Sequence, residues 1–227
     1  MELADKIIVV TGAASGIGRA MAVRFKAEGA KQIVAVDINI EGAQATAEMV
    51  DGVAMSADVS REEDIQRVIE ETESNVGPID LFCSNAGVGM GERINSPNQE
   101  WQMSWDINVM SHVYAARHLL PLMVARGGGY FLNTSSAAGL LNQIGGAAYG
   151  VTKHAAVGFG EWLAIHHKHE GVKVSMLCPQ AVRTPMTETD NDATAAAASN
   201  GMIEPEELCD TVVEGLRDES FMILPHP

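Results

Sequence analysis

Residues 6–18 read Lys6-Ile7-Ile8-Val9-Val10-Thr11-Gly12-Ala13-Ala14-Ser15-Gly16-Ile17-Gly18. A short β-branched run ends in a glycine-rich turn, and an amphipathic stretch to Glu28 follows at once, so the segment reads strand, tight turn, helix. Glycines in such a turn let the main chain approach a ligand closely. The helix start behind it offers free N–H groups and a positive partial charge, which suits an anion such as a pyrophosphate. The spacing is G-x-x-x-G-x-G rather than the G-x-G-x-x-G of many dinucleotide-binding chains. Its weight therefore comes from its placement between a buried strand and a helix at the head of a βαβ unit.

The same alternation continues along the chain. Strands are predicted over Lys6–Thr11, Gln32–Asp37, Val53–Ala57, Ile79–Ser84, Gly129–Ser135, Val172–Cys178 and Phe221–Leu224. Helices are predicted over Gly16–Glu28, Glu41–Met49, Arg61–Asn75, Gln99–Ala125, Ala148–His169 and Pro205–Arg217. Ser60 ahead of Glu62-Glu63, and Pro205 ahead of two glutamates, suit helix starts. The fold class that follows is α/β: one doubly wound Rossmann sheet of about seven parallel strands, helices on both faces, and a single domain over residues 1–227. The least regular stretch, about 185–203, is expected to cover a site.

With 227 residues the chain can bury roughly 70% of its unfolded surface, so a full core needs no staples. Its net charge of −15 argues against nucleic-acid or anionic-membrane partners. Cys83, Cys178 and Cys209 lie near apolar runs and form neither a disulfide framework nor a zinc spacing. The acidic start and the lack of a run near ~18 apolar residues point to a soluble, cytoplasmic protein. No metal is expected: His166, His167 and His169 crowd a helix C-terminus, where the dipole favours them.

Two further features carry chemistry. Asp37 closes the second strand, where a carboxylate would accept hydrogen bonds from an adenosine ribose. A 2′-phosphate would meet its charge, and no Arg or Lys stands at 13–15 or 38 to compensate, so NAD is expected over NADP. Tyr149 and Lys153 lie one helical turn apart on one face, and Ser136 sits at the end of the fifth strand, the end where doubly wound sheets bind ligands. A free phenol is too weak a base at neutral pH. A unit charge about 5 Å away at an effective dielectric of about 20 is worth roughly 3 kcal/mol, or about two pKa units, so Lys153 could bring Tyr149 into working range.

The Gly12–Gly18 turn, Asn85-Ala86-Gly87, Asn108, Ser136 and Tyr149-Gly150-Val151-Thr152-Lys153 together resemble the short-chain dehydrogenases/reductases, in their compact single-domain branch. The match holds in order and spacing over nearly the whole chain. The resemblance implies hydride transfer between a nicotinamide and a secondary alcohol or ketone. Tyr149 would be the general acid/base, Ser136 would bond the substrate oxygen, and Lys153 would lower the tyrosine pKa and hold the nicotinamide ribose. Asn108 would position a water that joins Lys153 to a proton relay. Gly12, Ser15, Gly16, Ile17 and Gly18 would cradle the phosphates, and Asp58 and Val59 would flank the adenine. Asn85 would bond across the central strands, with Ala86 beside the cofactor and Gly87 leaving it space. Pro179, Val182 and Thr184 would meet its nicotinamide end and phosphates.

The chain departs from the family in places. Gln180 stands where a Gly usually follows Pro179, and its side chain is a candidate substrate contact. Gln143 could reach a polar substrate group, while Met186 points to a partly apolar one. Ser111 stands where Gly is frequent, with no functional consequence expected. The sequence ends at Pro227, where relatives often continue; either a lost tail leaves the pocket more open than usual or the sequence is incomplete there. Helices apolar on more than one face, and an apolar last strand, point to a homodimer or homotetramer. Two rivals remain: a same-fold epimerase or dehydratase, and a non-catalytic NAD-responsive binding or regulatory protein.

Overall fold

In the computed structural model the chain is described at residues 1–188, 195, 198 and 201–226. Seven parallel strands form one sheet in the order β3-β2-β1-β4-β5-β6-β7. They are β1 (Ile7–Thr11), β2 (Gln32–Asp37), β3 (Val53–Ser56), β4 (Leu81–Ser84), β5 (Gly129–Thr134), β6 (Val172–Leu177) and β7 (Met222–Ile223). The chain winds outward in both directions from β1, so the connections after β1 and β4 diverge and leave a crevice at their C-terminal ends.

Both faces of the sheet are covered, which explains why β1 and β4 are buried at every position and read as unbroken apolar runs. On one face Ile8, Val10 and Cys83 pack with α1 (Gly16–Ala27), α2 (Ile40–Met49) and the helix Pro205–Arg217. On the other, Val9, Phe82 and Phe131 pack with α3 (Glu62–Asn75), Ser111–Ala125 and Ala147–His167. No helix among the described residues is long and apolar enough to cross a membrane.

The stretch predicted as one helix over Gln99–Ala125 is three pieces. They are α4 (Asn98–Trp105), a π-helical turn (Asp106–Met110), and α5 (Ser111–Ala125), which carries Pro121. Apolar periodicity cannot reveal a one-residue bulge, and such bulges gather at functional sites. Asn108 sits within it. A short helix, α6 (Ala138–Leu141), precedes α7 (Ala147–His167), and the last helix is α8 (Pro205–Arg217).

Ser60 does not cap α3: its N–H and hydroxyl both donate to Asp58 (3.0 and 2.7 Å), and the N-cap position is Arg61. Pro205 opens α8 as expected, with Glu206 and Glu207 in the first turn. Most of the segment expected to cover the site, 185–203, lies outside the described residues. Its start forms a short 3-10 turn, Pro185–Thr187.

Candidate active site

A cleft of about 410 Å³ opens at the C-terminal ends of the central strands. At one end lies the turn between β1 and α1. Gly12 adopts φ +70°, and a Cβ built on Gly18 would stand 2.1 Å from the Gly12 carbonyl oxygen, so this turn closes only with glycine at both positions. Ser15 is the N-cap of α1, yet its side chain makes no capping bond and the first turn carries no acidic residue. The helix start thus keeps its donors and positive field for a ligand anion.

Asp37, at the tip of β2, accepts from the N–H groups of Ala14 and Asn39 (2.9 Å each) and lines the cleft. The parallel β1–β2 pairing carries it to the turn. Arg19 donates to the Ala14 carbonyl and to Thr46 Oγ1 and is not a lining residue. Lys153 is the sole lysine or arginine lining the cleft among the described residues. Asp58 and Val59 follow β3 on the same wall.

The centre of the cleft is tied to the sheet by Thr11 and Asn85. Thr11 Oγ1 accepts from the N–H groups of Asn85 (2.9 Å) and Ala86 (3.1 Å). The Asn85 side chain donates to the Thr11 carbonyl (3.1 Å) and accepts from Thr134 Oγ1 (3.2 Å). Asn85 therefore bonds across β1, β4 and β5. A Cβ on Gly87 would lie 3.2 Å from Asn108 Oδ1 and 3.3 Å from Lys153 Nζ, so glycine keeps this floor low.

Asn108 lies behind the wall, fully buried, rather than in it. Its Oδ1 accepts from the Val88 N–H (2.9 Å), and its Nδ2 donates to the Val88 carbonyl (2.9 Å) and to Thr152 Oγ1 (3.1 Å). The side chain clamps the loop that carries Gly87. His112, one turn on and also buried, is pushed down to about 3, mainly by burial and next by the charge of Lys153.

At the far end stand Ser136, Tyr149 and Lys153, all lining the cleft. Lys153 Nζ donates to the Thr134 carbonyl (3.1 Å) and lies 5.6 Å from the centre of the Tyr149 ring. Ser136 Oγ donates to the Pro179 carbonyl (3.3 Å) and accepts from the Ala138 N–H (3.1 Å). The expectation that Lys153 alone lowers the Tyr149 pKa is not met by the protein's own groups. Burial raises the phenol, the Ser136 side chain lowers it in part, and the Cys178 thiol raises it further. Burial also pulls Lys153 down to about 8, so its ammonium is charged at neutral pH but held there less firmly than a solvated lysine. Cys178 is pushed up to about 11 by burial and is an inert neighbour.

Of the remaining expected residues, Ser15, Gly16, Ile17, Ala86, Pro179, Gln180, Val182, Thr184 and Met186 line the cleft. Gln143 does not: it stands on the α6–α7 connection, where Asn142 at φ +73° turns the chain. Outside the 185–203 segment, sequence reasoning missed Ile38, Ala57, Val88, Ile107, Thr134 and Ser135. Ile38, Ala57, Val88, Ile107 and Ser135 each adjoin an expected residue, which could have signalled them; Thr134 adjoins none. Among the described residues no three His, Cys, Asp or Glu side chains gather as a metal site.

The glycine cradle, the uncapped helix start, the strand-tip carboxylate and the continuous cleft to Lys153 fit a nicotinamide dinucleotide. A family model described as short chain dehydrogenase matches residues 6–195. The chain is a short-chain dehydrogenase. Among curated short-chain dehydrogenases it is similar to human epidermal retinol dehydrogenase 2, 30% identical over 99% of this chain and 75% of that one. It is also similar to the 1-deoxy-11-beta-hydroxypentalenate dehydrogenase of Streptomyces exfoliatus, 32% identical over 98% and 84%. A short-chain dehydrogenase/reductase from Burkholderia phymatum, solved with NAD, superposes with a TM-score of 0.91 at 26% identity, over 100% of this chain and 91% of that one. The chain thereby belongs to a family of oxidoreductases that act on alcohols with nicotinamide cofactors.

Proposed function

We propose that the protein is an NAD-dependent dehydrogenase of apolar secondary alcohols, or a reductase of the matching ketones, with Tyr149 as general acid/base. The convergence of Tyr149, Ser136 and Lys153 at one end of a cleft that begins at the glycine turn carries this reading. When bound there, the nicotinamide supplies the hydride acceptor or donor. Ser136 directs the substrate oxygen toward the phenol. Tyr149 takes the hydroxyl proton in oxidation and returns it in reduction. Burial holds the phenol protonated, which suits reduction, and the ammonium beside its ring offsets the charge that oxidation develops there.

The Asp37 carboxylate, facing a cleft whose lining cation is at the opposite end, supports NAD over NADP. Exposed Met186 supports an apolar substrate, as do relatives named for a retinol and a hydroxypentalenate. Leu122 on α5 and Val151, Trp162 and Ile165 on α7 are exposed, which supports a homodimer or homotetramer. A single domain working in the cytoplasm completes the proposal.

The test follows NADH absorbance with a panel of apolar secondary alcohols and ketones, comparing wild type with Tyr149→Phe. Turnover should fall by about 10²–10⁴-fold while NADH binding persists. A variant as active as wild type, or a wild type that binds NADH and turns over nothing, refutes the proposal.

A further inference from the structure

The segment after β6 forms one wall of the reaction cleft and carries Gln180, one of the chain's departures from its family. It is held on two sides. Toward the cleft, the Pro179 carbonyl accepts from the Ala137 N–H (2.8 Å) and from Ser136 Oγ (3.3 Å). From behind, the imidazole of His226 lies against the other side of that same Pro179–Gln180 peptide and against the Ala181 carbonyl. Gln180 N–H meets Nδ1 at 3.2 Å and the Ala181 carbonyl meets Nε2 at 3.1 Å. An N–H can only donate and a carbonyl can only accept, so the ring must be neutral with its proton on Nε2. The Ala181 carbonyl has a second donor, the Ile203 N–H (3.2 Å), whereas Gln180 N–H has no other partner among the described residues.

We propose that His226 is a positioning residue of the reaction site: by holding the N–H of the Pro179–Gln180 peptide and the Ala181 carbonyl, it keeps the Pro179 carbonyl on Ser136 and so fixes where the serine Oγ stands beside the substrate oxygen. This rests on the reading of the Ser136–Tyr149–Lys153 cleft as the reaction site. His226 does not touch the cleft; it acts through one peptide and one carbonyl. A glycine at 180 would leave the segment free to take more main-chain conformations, and a side-chain clamp is one means of restricting them. The Gln180 side chain need not contact substrate for the position to matter.

The experiment compares His226→Leu with His226→Gln in the full chain. A carboxamide carries an acceptor and a donor on one carbon, as the ring carries its two nitrogens, so Gln can restore both bonds and Leu neither. With two neutral hydrogen bonds at stake, kcat should fall roughly tenfold in His226→Leu, with KM for NADH little changed, and should recover to within about threefold in His226→Gln. Independently of turnover, the Gln180 amide should exchange with solvent at least about tenfold faster in His226→Leu than in wild type. Leu and Gln variants with equal kinetics, or a Leu variant with normal kcat, overturn the positioning role. An unchanged Gln180 exchange rate overturns the clamp. A wild type without turnover of any alcohol or ketone sinks the reading of the site instead, and this inference with it.

Discussion

Replacing Asn108 with alanine should cost the fold as much as it costs the site. The side chain is fully buried and makes three bonds, two of them to the main chain of Val88. Removing it leaves an N–H and a carbonyl in a place where no side chain replaces their partner. Thr152 keeps its own bond to the Tyr149 carbonyl at 3.0 Å and loses only a donor. A main-chain group left unpaired costs about 1–3 kcal/mol; Val88 is half-buried at the cleft, which puts each of its two groups toward the low end, so the pair should cost about 3 kcal/mol. In a chain of this length that corresponds to a Tm lowered by roughly 6–12 °C. Thr152→Val, which removes the bond to the amide and the one to the Tyr149 carbonyl but leaves Val88 paired, should cost about 1–2 kcal/mol and serves as the control. Asn108→Asp should not rescue, because a carboxylate cannot donate to the Val88 carbonyl. Urea unfolding at constant pH, followed by circular dichroism, measures all three. An alanine variant within about 0.5 kcal/mol of wild type would falsify the clamp, since surface-like substitutions fall in that range.

Other perturbations test other links. Asp37→Ala removes the charge at the ribose end of the cleft, and the preference for NADH over NADPH, read as the ratio of kcat/KM values, should drop at least about tenfold; an unchanged ratio rejects Asp37 as the selector. Gly18→Ala puts a methyl group 2.1 Å from the Gly12 carbonyl oxygen, so fluorescence titration should detect no NADH binding, and wild-type affinity in this variant contradicts the turn geometry. His112 is held to about 3 against an ordinary 6.5. Between those values the unfolded chain binds a proton there that the folded chain does not. Its contribution is therefore complete above pH 6.5 and lost as the pH falls toward 3, at up to about 1.4 kcal/mol per pH unit. His112→Leu should flatten the acid limb of the unfolding free energy, and a limb as steep as wild type removes His112 as its cause.

The fold could be read from the chain because a parallel sheet covered on both faces needs strands that are apolar without alternation, and Ile7–Thr11 and Leu81–Ser84 meet that need locally. The cofactor cradle was equally readable, since Gly12 and Gly18 are demanded by a turn only seven residues long. Asn108 was recognised by its order and spacing among the other motifs, but its task was not. The π turn that holds it depends on a one-residue register change, and its partner Val88 lies twenty residues earlier, on the segment after β4.

What is local in the chain was thus settled before folding: the strand–turn–helix head, the helical spacing of Tyr149 and Lys153, the carboxylate at the tip of β2. What depends on surroundings was not. Burial is a property of the assembled core, and it pushes the Tyr149 phenol up and the Lys153 ammonium down, against the simple pairing that their spacing suggests. Nor could any local pattern bring His226 to the Gln180 N–H and the Ala181 carbonyl. Forty-six residues separate His226 from Gln180, and α8 and β7 must pack first; only then does the imidazole find a donor and an acceptor on the wall of the cleft.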